Sequence, residues 1–289
     1  MKKNIKPAIA AVAILVCMTI IGIGTAQAQI DLLHQTHQTD SNRLLAVTAP
    51  ATIGPRHLLL EGNLSWSYNY HNSDVIALDG SMAPAQNIFN MFSGGATLRY
   101  GIGKIFELSL GLDGTWGKES HHAGTYLEET ILRGFTPSVG MKLYVYEGEG
   151  WRPQMAVKAS FFQRLWVYDD GTTSPAGNFA NPYAGLEFRN RLGRHWVLDY
   201  SVGYSRMSNT LGAVAYAHNV SYSLFGRWLP SERLMVSVGV QDGWGIAELR
   251  WQASDAMQLK AQASIDGGIG AELGMLQTYA VAGFNWMIK

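Results

Sequence analysis

The chain has 289 residues, with 22 basic and 22 acidic side chains, 15% charged residues, 11% aromatic residues and 32 glycines. A typical soluble domain is about 25% charged, so this composition argues against an ordinary water-exposed surface, and the balanced charge leaves no basic face for nucleic acid. The single cysteine, Cys17, excludes a disulfide framework.

The first 28 residues read as an address. Lys2, Lys3 and Lys6 precede an apolar run from Pro7 to Ile23, and Ala26-Gln27-Ala28 supplies a small-x-small cleavage site. The expectation is a signal peptide over 1–28, cut after Ala28. It leaves 261 residues with 19 basic and 22 acidic side chains, a net charge of −3, and no cysteine. Residues 29–55 read as an N-terminal periplasmic segment in which His34 and His37 are solvated spacer residues. Residues 56–289 read as a transmembrane β-barrel.

The barrel expectation rests on alternation. Past residue 28 no apolar run approaches the roughly 20 residues a membrane helix needs, and the other structure able to span lipid is a closed sheet. In 60–68, Leu60, Leu64, Trp66 and Tyr68 oppose Glu61, Asn63, Ser65 and Ser67. In 106–116, Phe106, Leu108, Leu110, Leu112 and Trp116 fall on one face, and Glu107, Ser109, Asp113 and Thr115 on the other. A strand separates these two sets, whereas a helix would scatter them. The pattern returns in 196–204, 234–241 and 257–266. About twelve antiparallel strands are predicted, near 57–70, 87–100, 104–116, 130–146, 151–166, 179–191, 195–207, 216–228, 233–242, 244–253, 256–266 and 277–288. An even count suits a bacterial single-chain barrel.

The connections alternate in length. Short turns are predicted at 101–103, 147–150, 192–194, 229–232 and 255, and longer loops at 71–86, 117–129, 167–178, 208–215 and 267–276. Short periplasmic turns and long extracellular loops are the outer-membrane pattern. Only Asp242-Gly243 is too short for it. The nine tryptophans fall at predicted strand ends or in a connection. Trp151, Trp196, Trp228, Trp251 and Trp286 mark the periplasmic end, and Trp66, Trp116, Trp166 and Trp244 the outer side. Two such belts form an aromatic girdle at the membrane interfaces.

Parity also assigns an interior. Glu61, Arg99, Glu107, Asp113, Lys142, Lys158, Arg164, Glu187, Arg189, Asp199, Arg227, Glu248, Arg250, Lys260 and Asp266 are expected to point inward as pore-lining candidates. A charge facing lipid at the midplane costs about 2–4 kcal/mol. Opposite charges could pair across the lumen, or form a mixed polar pathway without strong ion preference. Tyr144, Tyr146, Phe162 and Phe225 are expected inward too, as an apolar patch or as packing.

Several segments resemble a known family. Thr39-Asp40-Ser41-Asn42-Arg43, Pro55 through Gly62, Leu98-Arg99-Tyr100-Gly101 with its following Glu107-Leu108, Ser138 through Lys142, Ala263 through Gly268 and Val281 through Trp286 together resemble the outer-membrane transporter-like family named for the MetA pathway of phenol degradation. The resemblance implies a barrel that passes small solutes, aromatic ones among them. The last strand, ending Phe284-Asn285-Trp286-Met287-Ile288-Lys289, is similar to the signal read by the barrel assembly machinery.

Two other function classes compete with a channel. A rim hydrolase would draw on His71, His121 or His122 with Ser120, Glu128 or Asp74; no spacing pairs them. A structural or adhesive barrel would have a plugged lumen. Adjacent His121 and His122 point apart on a strand, which disfavours a metal site, and no cofactor-binding motif is present. Gly267-Gly268-Ile269-Gly270 lacks the helix a phosphate loop needs. The expected surroundings are outer-membrane lipid and lipopolysaccharide of a Gram-negative bacterium.

Overall fold

Alternating apolar and polar residues fold here into a single antiparallel sheet that closes on itself. The computed structural model describes residues 44–45, 48, 52–76, 82–102, 105–123, 126–146, 148, 152–163, 165–167, 173–175, 181–209, 215–266 and 275–288. The predicted signal peptide, His34, His37, Arg164 and Trp151 lie outside them. The strands are β1 (Leu58–Ile76), β2 (Met82–Ile102), β3 (Phe106–Ala123), β4 (Tyr126–Tyr146), β5 (Gln154–Phe162), β6 (Leu165–Val167), β7 (Thr173–Pro175), β8 (Asn181–Arg191), β9 (Trp196–Asn209), β10 (Ala215–Ser231), β11 (Leu234–Gln241), β12 (Trp244–Gln252), β13 (Met257–Asp266) and β14 (Met275–Ile288).

Each strand of the wall pairs with its sequence neighbours, β5 pairs with β8, and β1 pairs with β14 from Leu58↔Ile288 to His71↔Met275. Twelve strands therefore form a closed antiparallel barrel, as the sequence implied. The short β6 and β7 extend it, β6 lying on the far part of β4 and β7 on β6. Closure leaves this wall without a free edge, the condition for placing a sheet in lipid.

Three features differ from the sequence expectation. Residues 71–86 and 117–129 are largely strand, since β1 and β2 pair out to Ile76↔Met82 and β3 and β4 out to Ala123↔Tyr126. Here both faces are polar, as in Lys118-Glu119-Ser120-His121-His122, so the alternation that marks a strand in lipid disappears while the backbone ladder continues. Lys118 and Glu129 pair across it at 2.6 Å. Second, the strand expected over 151–166 breaks between β5 and β6. The break falls between the pairs Ser138↔Phe162 and Phe135↔Leu165, where Pro137 has no N–H to give the ladder. Its carbonyl instead accepts the Gln163 N–H at 3.1 Å. Third, Asp242-Gly243 is a two-residue hairpin turn with φ of 51° and 88°. Positive φ at both positions matches the right-handed twist of the flanking strands, which accounts for a connection too short for the loop pattern.

Apolar side chains cover the outside. Leu64, Val220, Val238 and Leu110 are 61–70% exposed on a chain with few buried apolar residues. Trp196, Trp228, Trp251 and Trp286 ring the end that holds both Leu58 and Ile288, here the near end; Trp196 stacks on Trp228 at 6.1 Å. Toward the far end, Trp66, Phe92 and Trp116 stand side by side on β1, β2 and β3, all exposed. Trp166 lies on β6 and Trp244 is half-buried beside the hairpin turn. The apolar belt between two aromatic rows is the surface a bilayer solvates.

Candidate functional site in the barrel interior

Strands that turn leucine and valine outward must turn their alternate residues inward, and here those residues carry the charge. Arg99, Glu107, Lys142, Glu187, Arg189, Asp199, Arg227 and Glu248 are buried within the barrel. Glu61, Asp113, Lys158, Arg250 and Lys260 are half-buried. The side chain of Asp266, at the end of β13, is outside the described residues. Three groups of ion pairs form. On β1, β2 and β3, Arg99 binds Glu61 through Nη1 (2.8 Å) and holds both oxygens of Glu107 through Nε (2.6 Å) and Nη2 (2.9 Å). Between β4 and β8, Lys142 Nζ meets Glu187 at 3.0 Å.

The third group runs across β8, β9, β10 and β12. Arg189 grips both oxygens of Asp199 at 2.7 and 2.8 Å. Asp199 Oδ2 also accepts from Arg227 Nε at 2.6 Å. Arg227 Nη1 donates to Ser237 Oγ (2.9 Å) and Glu248 Oε1 (3.0 Å), and Arg250 forks onto Glu248 at 2.9 and 3.0 Å. Buried charges persist only when paired and hydrogen-bonded. These bidentate contacts meet that condition.

The near end is not empty. Leu44 and Leu45 are fully buried against Val197, Leu229 and Met235, and Ile53 packs with Leu59 and Met287. Arg189 donates to the Leu45 carbonyl (3.2 Å) and to the Thr48 hydroxyl; Glu107 Oε2 accepts the Ile53 N–H at 3.1 Å. Gly101 makes room for this segment, since a Cβ there would overlap the Gly54 carbonyl oxygen. Part of the stretch read from the sequence as a periplasmic segment therefore sits on the interior charges. The only sequence signal for this was the apolar run Leu44-Leu45-Ala46-Val47 inside a polar stretch.

Two of the cavities lined by described residues adjoin one another. The inner one, about 310 Å³, has Thr48 in its lining and is surrounded by Arg99, Lys142, Lys158, Arg227, Arg250 and Lys260 with Glu61, Glu107 and Glu187. The outer one, about 470 Å³, shares Lys158, Glu187 and Arg227 with it and adds Phe162, Tyr183, Phe225 and a set of serines. Each lies in the range of small-molecule sites. Phe162 and Phe225 line a cavity, as parity implied. Tyr146 does not: the β4–β5 register shifts between Tyr144 and Tyr146, and Tyr146 is exposed.

At the far end, His121 lies in β3 rather than in a loop. Its Nδ1 meets Asn87 Oδ1 at 2.5 Å and its Nε2 meets Glu119 Oε1 at 2.7 Å. Both ring nitrogens are thus engaged, which leaves none to activate Ser120. His122 is exposed. The side chains of His71, Asp74 and Glu128 are outside the described residues. Among the described residues no cluster of three or more His, Cys, Asp or Glu could hold a metal ion.

No protein-family profile and no curated protein matches the chain. Among solved structures, an outer membrane channel from Pseudomonas putida F1 aligns over 82% of this chain and 97% of its own, at 12% identity and TM-score 0.51. The transport unit of the autotransporter AIDA-I from Escherichia coli aligns over 86% of this chain and 96% of its own, at 10% identity and TM-score 0.49. The toluene transporter TodX from P. putida aligns over 81% and 89%, at 9% identity and TM-score 0.39. At such identities the P. putida F1 structure shares the fold, and the other two lie further off.

Proposed function

We propose that this chain is a channel for small solutes in the outer membrane of a Gram-negative bacterium. One observation carries the reading: a closed sheet shows lipid an apolar face and encloses charged, partly open space. A purely structural barrel has no need to keep two cavities beside its ion pairs. The P. putida F1 protein of the same fold is itself a channel, and the sequence resemblance to the MetA-pathway family supports solutes that include aromatic compounds. Phe162, Tyr183 and Phe225 in the outer cavity suit such a ring. On this reading residues 1–28 direct export and are removed, the assembly machinery recognises β14, and lipopolysaccharide faces the Trp66–Trp116 row.

The test is electrical. Purified mature chain in a planar lipid bilayer should give discrete current steps. A seal that stays tight at all voltages, with correctly folded protein inserted, would remove the channel reading. N-terminal sequencing of the membrane-inserted protein should begin at Gln29.

A further inference from the structure

The interior charges do not balance where the cavity is. In register, Lys142 stands opposite Lys158 across β4 and β5, and Arg250 stands opposite Lys260 across β12 and β13. Like charges directly opposed across strands are destabilising. In each pair one cation has its acid, Lys142 with Glu187 and Arg250 with Glu248. The other, Lys158 or Lys260, makes no ion pair among the described residues. Asp113 does not line the inner cavity. Both lysines line one chamber of about 310 Å³, whose lining holds six cations and three acids.

The chamber opens toward aromatic rings. Lys158 Nζ lies 5.9 Å from the centre of the Tyr183 ring, and the Arg227 guanidinium 5.3 Å from that of Phe225. Tyr183 lies flat on the wall over Gly185 and Gly203, which leaves the space before it free. A ligand that satisfies both features has a flat ring for the outer cavity and a carboxylate for the lysines.

We propose that the inner cavity, where Lys158 borders the outer one, is a binding site for small aromatic carboxylates, with Lys158 and Lys260 supplying the counter-charge. This rests on the channel reading and names its solute class. The mixed-charge pathway without ion preference, expected from sequence, gives way to an anion-selective one.

The test uses isothermal titration of the mature barrel in detergent with benzoate, phenol and benzylamine. Benzoate should bind about tenfold or more tightly than phenol, as a charge-assisted contact implies, and benzylamine should not bind. The double substitution K158Q/K260Q should lose that advantage and leave phenol unchanged, while K158R/K260R retains it. Heat-modifiable migration on a gel checks that each variant is folded. Equal affinity for all three probes, or unchanged benzoate binding in K158Q/K260Q, would overturn the site. In bilayers under a salt gradient, the reversal potential should favour chloride over potassium. Current without anion preference or benzoate binding leaves a channel and removes this site. Benzoate binding by a protein that never conducts removes the channel and leaves the site.

Discussion

Asp199 is the junction of the largest interior network, because two guanidiniums share its two oxygens. Arg189 joins that network to the segment seated in the near end. Arg189→Ala removes both links at once. Breaking one side of a buried ion pair costs about 3–5 kcal/mol, so the unfolding midpoint in detergent should fall; Arg227 still partners Asp199, which places the loss at the lower end of that range. The same substitution frees the Thr48 region, so single-channel current should rise. A larger loss of stability with no change in current would mean that the segment does not limit flow. Gly101→Ala tests the same seat without touching a charge. Its new Cβ collides with the Gly54 carbonyl oxygen, so this variant should also conduct more. Parity marks Glu61, Arg99 and Glu107 in the sequence, since they alternate with apolar neighbours. It could not show which of them pair, because Arg189 and Arg227 meet on Asp199 only after β8, β9 and β10 are set in register.

At the scale of strands and turns, alternation reports the solvent rather than the backbone. It placed the apolar half of β3 and missed Lys118–His122, where both faces are polar and the alternation is lost. The break after Phe162 depended on Pro137, a residue distant in sequence that becomes a neighbour through β4–β5 pairing. The Asp242-Gly243 turn was legible in principle, since Asp-Gly between alternating strands is a strong hairpin signal. Gly243→Val forces a branched side chain to φ near 88°. A cost of about 1–2 kcal/mol is expected, measurable as an earlier urea midpoint in micelles. Val238→Arg, on the lipid face of β11, should cost about 2–4 kcal/mol in a bilayer. It should cost far less in a detergent that lets the guanidinium reach water. Equal losses in both media would mean that Val238 does not face the hydrocarbon.

For the whole molecule, the governing fact is the β1–β14 seam. Leu58 meets Ile288, so residues at opposite ends of the described chain are neighbours in the finished wall. Nothing earlier in the chain can stand in for β14, because β1 and β13 both need it as partner. Without its last fourteen-residue strand the sheet is a ribbon with two open borders and a greasy outer face. Local contacts cannot hurry that closure, since joining distant segments is slow. Until β14 meets β1, both borders stay open to any other strand, so exposure to mispairing lasts as long as closure is delayed.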